Sequence, residues 1–363
     1  MIYGGRSAEH EISLRSAKSV LQHLDQDKFE VLPIAIDKQG QWLLNDLSVL
    51  STPQAEQLLI ANQASSKTQF YPVPQTERPF DVVFPMLHGT LGEDGAIQGL
   101  LELADIPYVG CGILASAMCM DKDITKRLVM QAGVPIPDYL CVRSNVLQQL
   151  TQLQHQIEQQ LAFPVFVKPA NTGSSIGISK VNIANELQQA LQTAFAHDNK
   201  VLIERAISAR EVEIAVLQDL KSEKPLVSDV AGEVINAAGE FYSYEAKYGK
   251  DSNTMLQVPA KITAEQLNII RDYARKIFIA LECNHMARVD FFIDKQSGKI
   301  YFNELNTIPG FTKISLFPRL WEVSGMPYSA LLTHLIELAL QKVSNDENSM
   351  IKLENSKLAK CAD

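Results

Sequence analysis

A chain of 363 residues, 46% hydrophobic and 21% charged, is long enough for two or three packed domains and ordinary in composition for a globular protein. Its net charge of −9, with no basic stripe, argues against nucleic acid as a partner, and no apolar run approaches a membrane span. The five cysteines (Cys111, Cys119, Cys141, Cys283 and Cys361) show no metal-ligand spacing and read as reduced thiols of a cytoplasmic protein, with no signal peptide opening the chain.

Met1-Ile2-Tyr3 is apolar and runs into Gly4-Gly5-Arg6-Ser7, a strand-to-helix turn. So short a strand is not expected in the middle of a parallel sheet, and the chain reads as starting late or the strand as a frayed stub. A helix is expected over residues 13–24, with Ala17, Val20, Leu21 and Leu24 on one side. Glu9 lies close to the turn, where it either orients a ligand or serves as an ordinary carboxylate at a helix N-terminus. Apolar strands at 30–36, 81–87 and 106–109 alternate with helices, which points to a parallel sheet covered on both faces. The polar stretch from about 47 to 79 reads as a surface excursion. His88 follows a strand and so sits at the ligand-facing edge of that sheet, although a histidine there is as a rule structural. Gly110-Cys111-Gly112-Ile113-Leu114-Ala115 matches a dinucleotide-binding spacing, but no ribose acid follows at the required distance, and it is read as a tight turn. Lys122 is either a solvated helix residue or a phosphate ligand.

A second unit begins near there. Residues 163–169 form a strand that carries Lys168, and residues 178–181 form its return strand. Between them, Asn171-Thr172-Gly173-Ser174-Ser175-Ile176-Gly177 is a tip of small residues whose N–H groups can fold over a phosphate. It lacks the Walker A spacing. Residues 201–205, ending in Glu204 and Arg205, form another strand. Residues 211–216, alternating acidic and apolar from Glu211, suit a charged edge strand as well as a site wall. The irregular stretch from about 236 to 259 holds Tyr242, Tyr244, Glu245, Lys247 and Tyr248 and reads as a docking lid. Thr263 and Gln266 cap an amphipathic helix with Leu267, Ile270, Ala274, Ile277 and Leu281 on its face. A last helix opens at Pro327 and runs to about 343, followed by a polar tail.

Residues 287–312 are the most informative stretch. Strands at 288–293 and 300–305 are joined by a polar turn at Gly298. Alternation puts Arg288, Asp290 and Phe292 on one face and Val289, Phe291 and Ile293 on the other, while Phe302, Glu304 and Asn306 share a face of the second strand. A tight turn sets Asp290 opposite Glu304 and Arg288 near Asn306. Carboxylates and an amide oxygen gathered so are hard ligands suited to Mg²⁺ or Mn²⁺ bridging phosphates. A solvated face with cross-strand charge pairs explains the same pattern.

In this order, GGRSAEHEIS, LHGTLGEDG, MDKDITK, VFVKPANTGSSIGISK, VLIER, YEAKY, ARVDFF and NELNTIPGFTKISLFP resemble the D-alanine–D-alanine ligases of the ATP-grasp superfamily, from Gly4 to about residue 343. The resemblance implies an α/β and α+β chain with the ATP-grasp fold: an N-terminal parallel-sheet domain (1–121), then central (122–208) and C-terminal (209–343) subdomains clasping ATP, and a tail (344–363). By position it implies that Lys122 and Lys168 contact phosphates beneath Gly173, Ser174 and Ser175. Glu204 and the backbone of Arg205, where the family more often has lysine, read adenine. Glu211 holds the ribose, and Lys247 belongs to the same site. Asp290, Glu304 and Asn306 match the ligands of two Mg²⁺ or Mn²⁺ ions. Glu9, with His88 nearby, meets the first D-alanine's ammonium. Arg288 and the N–H of Gly310 serve a developing oxyanion, and Ser315 and Leu316 fix the second carboxylate. Glu9, Ser174 and Tyr248 match a hydrogen-bonded triad that pins the lid, and a tyrosine at Tyr248 goes with D-alanine rather than D-lactate as second substrate. The implied activity is ATP-dependent formation of D-alanyl-D-alanine through D-alanyl phosphate, for peptidoglycan precursors, by a cytoplasmic homodimer. The alternatives are a D-alanine–D-lactate or other amino-acid ligase on the same fold, and a nucleotide-binding module with a dead site.

Overall fold

Residues 1–45, 80–235 and 255–341 are described by the computed structural model, and they build three sheets. The first contains β1 (Ile2–Gly4), β2 (Ile34–Ile36), β3 (Trp42–Leu44) and β4 (Pro85–Met86), in the order β3-β2-β1-β4. β1 pairs parallel with both β2 and β4, and a bridge from Val83 to Tyr108 extends the sheet, but β3 returns antiparallel to β2 across the short turn at Gly40, so the sheet is mixed where an all-parallel one was expected. The three-residue β1 therefore occupies the middle of the sheet, contrary to the expectation from its length. Packing on both faces explains why it can. Tyr3 joins Leu14, Ala17 and Val20 of helix α1 (His10–His23), whereas Ile2 joins Ile34 and the Ile97 and Leu101 side chains of α2 (Ala96–Leu103). The expected strands at 30–36 and 81–87 are shorter than their apolar runs.

Helices α3 (Ile113–Met120) and α4 (Lys122–Gln131) follow. The central sheet contains β5 (Tyr139–Arg143), β6 (Val165–Pro169), β7 (Ser179–Val181) and β8 (Lys200–Arg205), in the order β5-β8-β6-β7 with every pair antiparallel. Helices α5 (Leu150–Gln160) and α6 (Leu187–Phe195) pack Leu153, Ile157, Leu187 and Leu191 against Val165, Val167, Val201 and Ile203. Alternation then sends Lys168 and Glu204 to the other face.

The third sheet contains β9 (Ala209–Leu217), β10 (Leu226–Val227), β11 (Gly232–Ile235), β12 (Met255–Gln257), β13 (Met286–Asp294) and β14 (Ile300–Asn306). Its order is β12-β11-β9-β13-β14, with β10 on β9. β9 is an interior strand, so the edge-strand reading of Glu211 is corrected: its acids lie on a sheet face between two neighbours. Asp290 pairs with Glu304 on one side and Glu213 on the other, and Arg288 pairs with Asn306, as the hairpin register requires. A register shift between Asp290 and Phe291 changes one expectation. Phe302 does not share a face with Glu304 but pairs with Phe291 and is fully buried beside it, because the bulge inserts one residue and reverses the alternation.

Behind this sheet lies α7 (Ala264–Ala280), opened by a capping box in which Thr263 Oγ1 accepts from the Gln266 N–H and Gln266 Oε1 from the Thr263 N–H, both at 3.1 Å. Its Ile270, Ala274 and Ile277 share a core with Ala115 and Cys119 of α3 and Val129 of α4. The chain closes with α8 (Leu316–Val323) and helical residues 328–341. No helix among the described residues is long and apolar enough to cross a membrane. Replacing the cap, Thr263→Ala, is expected to lower unfolding free energy by about 1 kcal/mol in urea denaturation.

Candidate active site

The central and third sheets border a cleft lined by, among others, Lys122, Lys126, Lys168, Glu211, Asp290 and Glu304. Its basic wall belongs to the central unit and α4. Lys168 Nζ donates to Glu204 Oε1 at 2.5 Å, and Lys126 Nζ lies 2.6 Å from Oε2. Lys126 and Glu204 are each only 1% exposed, which leaves water no share in their solvation. Burial by itself raises the Glu204 pKa, but Lys126 and Lys168 outweigh it and pull the carboxyl down to about 2. Burial lowers the Lys126 pKa, and the attraction of Glu204 offsets this only in part.

Lys122 is the first residue of α4. Its Nζ donates to the Thr172 carbonyl at 2.5 Å and its N–H to the Ala170 carbonyl at 3.0 Å, so the helix start is tied to the hairpin tip. Asp121 caps the helix through the N–H groups of Asp123 and Ile124 and also accepts from Lys200, whose Nζ lies 3.4 Å from Asp123. Gly173, Ser174 and Ser175 form the tip, with both serines left-handed at φ +49° and +59°. The Arg205 guanidinium is exposed and lies 3.7 Å from Asp138.

On the acidic wall, Arg288 donates through Nε and one terminal nitrogen to Asp290 at 2.8 and 2.7 Å, and its Nε lies 2.9 Å from Glu213. Burial disfavours the guanidinium charge, but Asp290 and Glu213 more than restore it. Asn306 Nδ2 donates to Asp290 Oδ2 at 3.2 Å. Glu211, Glu213, Asp290 and Glu304 thus share a lining with the single Arg288 cation on their own wall. No group of three His, Cys, Asp or Glu side chains among the described residues is gathered as a metal cluster. The donor set of Asp290, Glu304 and the Asn306 amide, with its surplus of negative charge, nevertheless fits a hard divalent cation.

A smaller cavity adjoins this cleft, lined by Glu93, Lys122, Gly173, Ser174, Glu304 and Asn306. Glu9 is buried and accepts a hydrogen bond from Ser174 Oγ. Two glycines make its slot: a Cβ on Gly173 would lie 2.9 Å from Glu9 Oε2, and one on Gly89 (φ +76°) only 2.5 Å. Ser7 Oγ accepts from the Glu9 N–H at 3.1 Å and donates to the His88 carbonyl at 2.5 Å. His88 is also buried, its Nε2 2.9 Å from Ser16 Oγ and its Nδ1 3.1 Å from the Ile308 carbonyl. Burial lowers its pKa, but Glu93, Glu9 and the Ile308 carbonyl together bring the net shift upward. His88 thereby ties the β4 loop to α1 and to the loop after β14. In that loop a Cβ on Gly310 would meet Ser315 Oγ at 2.8 Å, and Ser315 Oγ accepts from the Thr312 N–H at 3.1 Å. Leu316 opens α8 and is packed against Gly232. Lys247 and Tyr248 lie outside the described residues.

Sequence reasoning passed over Lys126 and Glu213. Lys126 follows Lys122 by one helical turn, and Glu213 follows Glu211 by one strand period; those spacings were the available signals.

Two family models match the chain. Residues 1–111 match the family described as D-ala D-ala ligase N-terminus, and residues 128–337 match D-ala D-ala ligase C-terminus. The chain is 46% identical over 357 residues to a D-alanine–D-alanine ligase A of Bradyrhizobium diazoefficiens, covering 94% of each. It is 47% identical over 361 residues to a D-alanine–D-alanine ligase of Caldicellulosiruptor bescii, covering 97% of each. Among solved structures it is similar to the D-alanine–D-alanine ligase from Coxiella burnetii (TM-score 0.80, 32% identity, 99% of this chain and 97% of that one). It is also similar to the VanG D-Ala:D-Ser ligase from Enterococcus faecalis (TM-score 0.78, 37% identity, 93% and 98%). Two antiparallel sheets closing on a cleft behind a unit with a mostly parallel sheet are the ATP-grasp fold. Within that class, the chain belongs to the D-alanine–D-alanine ligase family.

Two measurements test this geometry. Gly89→Ala should displace Glu9 and lower kcat/KM for the amino-acid substrate by roughly tenfold or more, as expected for a misplaced positioning group. Because the folded-state pKa of Glu204 is depressed, its stabilising contribution is complete above the ordinary carboxylate range and is lost as pH falls toward about 2. Denaturation from about pH 5 down to about pH 2 should therefore show a steeper loss of stability in the unsubstituted chain than in Glu204→Gln.

Proposed function

We propose that this chain joins two D-alanine molecules into D-alanyl-D-alanine at the expense of ATP, releasing ADP and phosphate, for peptidoglycan precursors. The observation that carries this reading is a cleft with one basic and one acidic wall, opening beside the slot that holds Glu9 against Ser174.

ATP lies in the cleft with its phosphates along Lys122 and Lys168, beneath Gly173, Ser174 and Ser175. Glu204 and the backbone of Arg205 read adenine, Glu211 holds the ribose, and Lys247 completes the site. Asp290, Glu304 and Asn306 would hold Mg²⁺ or Mn²⁺, which supplies charge neutralisation on the transferring phosphoryl group. Lys126 has a further part: when Lys168 turns to phosphate, Lys126 keeps the buried Glu204 paired.

Glu9, beside His88, takes the ammonium of the first D-alanine. A carboxylate oxygen of that substrate attacks the γ-phosphorus, the bond to the β,γ-bridging oxygen breaks, and ADP leaves. The amine of the second D-alanine, held by its carboxylate at Ser315 and Leu316, then attacks the acyl carbon and gives up a proton, which leaves with the phosphate. Arg288 and the Gly310 N–H stabilise the tetrahedral oxyanion, which collapses with loss of phosphate. Arg288 is held rigidly for this by Asp290 and Glu213. A lid pinned through Glu9, Ser174 and Tyr248 excludes the water that would hydrolyse the acyl phosphate. In this reading residues 1–121, 122–208 and 209–343 are the three domains of a cytoplasmic homodimer.

ADP release with ATP and Mg²⁺, compared for D-alanine, L-alanine and D-alanine plus D-lactate, with mass analysis of the product, tests the assignment. Turnover with D-alanine alone and a dipeptide product is expected. Similarity to a D-Ala:D-Ser ligase supports a second reading, with another small hydroxy or amino acid in the second position. A mixed product as the main species would decide for it. Tyr248→Phe should raise the use of D-lactate relative to D-alanine at mildly acidic pH, and an unchanged ratio would remove Tyr248 from substrate choice. Lys126→Met should raise the KM for ATP by roughly tenfold or more, and Glu204→Gln in the same chain should restore part of the loss, because the stranded carboxylate is then gone.

A further inference from the structure

The tip between β6 and β7, residues 171–177, places Gly173, Ser174 and Ser175 beside the lysine wall with small side chains that pack little surface of their own. Within it, Thr172 Oγ1 donates to the Ile176 carbonyl and the Ile176 N–H to the Gly173 carbonyl, both at 3.1 Å. Ordering such a segment each time a ligand arrives is costly unless its root is fixed beforehand.

The turn between α6 and β8 fixes that root. Asp198 Oδ2 accepts from the N–H and from Nδ2 of Asn171, at 2.7 and 2.8 Å, while its Oδ1 accepts from the Lys200 N–H at 3.1 Å. A carboxylate makes stronger bonds to such donors than a neutral acceptor would. The Ala170 N–H donates to the Lys200 carbonyl at 2.9 Å, and Lys200 Nζ reaches Asp121, the cap of α4. At the far end of the tip, Gly177 is left-handed at φ +72°, and a Cβ there would lie 2.6 Å from His197 Cδ2. One short turn thus grips both ends of the tip, and Asp198 supplies the side-chain bonds of that grip. Asp198 is not part of the lining of the cleft or of the adjoining cavity, so it acts through Asn171 rather than on a ligand.

We propose that Asp198 is a positioning residue for nucleotide binding, holding the tip at its root so that Gly173, Ser174 and Ser175 are in place before the phosphates arrive. The proposal rests on the reading of the cleft given above. The bond from Ser174 to Glu9 ties the middle of the tip to the N-terminal unit, whereas Asp198 ties its base to the central unit. Loss of the base tie returns the ordering cost to the binding step, so ATP binding weakens more than the chemistry slows.

Asp198→Ala should raise the KM for ATP about tenfold or more, with kcat within about threefold of the unsubstituted chain. Asp198→Asn, which keeps one acceptor for Asn171, should show an intermediate rise. Asn199→Ala, in the same turn but bonded to Arg143, should leave the KM unchanged. Thr263→Ala, which weakens a helix cap elsewhere, controls for lost stability and should also leave it unchanged. Amide hydrogen exchange of the unliganded chain gives a readout independent of activity: amides of residues 171–177 should exchange about tenfold faster or more in Asp198→Ala, with those of α7 unaltered. An unchanged KM for ATP in Asp198→Ala, unchanged exchange in the tip, or an equal rise of KM in Thr263→Ala would overturn the proposal. If the alanine chain does not fold, the absence of any rise in Asp198→Asn overturns it. Failure of the unsubstituted chain to use ATP would instead count against the reading of the cleft, and the exchange comparison would still decide whether Asp198 holds the tip.

Discussion

Glu204 holds two ammonium groups, Lys168 at 2.5 Å and Lys126 at 2.6 Å, in a place closed to solvent. Two buried lysines brought this close repel each other and lose hydration, and the carboxylate between them offsets part of both penalties. The facing wall has the inverse trio, with Arg288 between Glu213 and Asp290. Each wall is thus held by its own internal pairing while keeping a surplus of one sign, positive on the lysine side and negative on the carboxylate side. A polyphosphate chain with a divalent counter-ion is complementary to both walls at once. A cleft of uniform charge would attract one half of that ligand and repel the other.

The second constraint is the contact between Glu9 and Ser174. It joins the first helix to the tip of the β6–β7 hairpin, two pieces of chain that belong to different sheets. Ser174 and Ser175 hold left-handed backbone conformations there, which non-glycine residues adopt at a cost and which persist where the surroundings dictate them. Gly89 and Gly173 supply the room, since a methyl group at either would intrude on the Glu9 carboxylate. The N-terminal unit thereby fixes the hairpin tip over the lysines.

The hairpin of β13 and β14 was legible because strand alternation needs only the sequence, and Asp290, Glu304, Arg288 and Asn306 fall in the register that alternation requires. Phe302 was not, because the bulge beside Asp290 is a property of the paired strands rather than of either one. The same limit hid the interior position of β9: a strand's neighbours depend on topology, and acidic alternation suits an edge as well as a site wall. Lys126 was missed for a different reason. A lysine one turn after another on a helix is ordinarily solvated, and only the burial of Glu204 from another sheet makes it a cleft residue. β1 was misjudged because its length says little once both of its faces are packed.

Choice of the second substrate is a finer matter than any of these. The Coxiella burnetii D-alanine–D-alanine ligase and the Enterococcus faecalis D-Ala:D-Ser ligase resemble this chain to nearly the same degree, with TM-scores of 0.80 and 0.78, and the latter is the higher in identity, at 37% against 32%. Backbone likeness and overall identity therefore do not separate partners that differ by one hydroxyl. A hydroxyl gained or lost is discriminated strongly only where a buried polar group is left unpaired by the wrong partner. Ser315 already has its hydroxyl engaged with Thr312, and Leu316 is buried by packing, so neither presents such a group freely. Among the described residues, neither position therefore supplies an unpaired polar group that would separate the two partners.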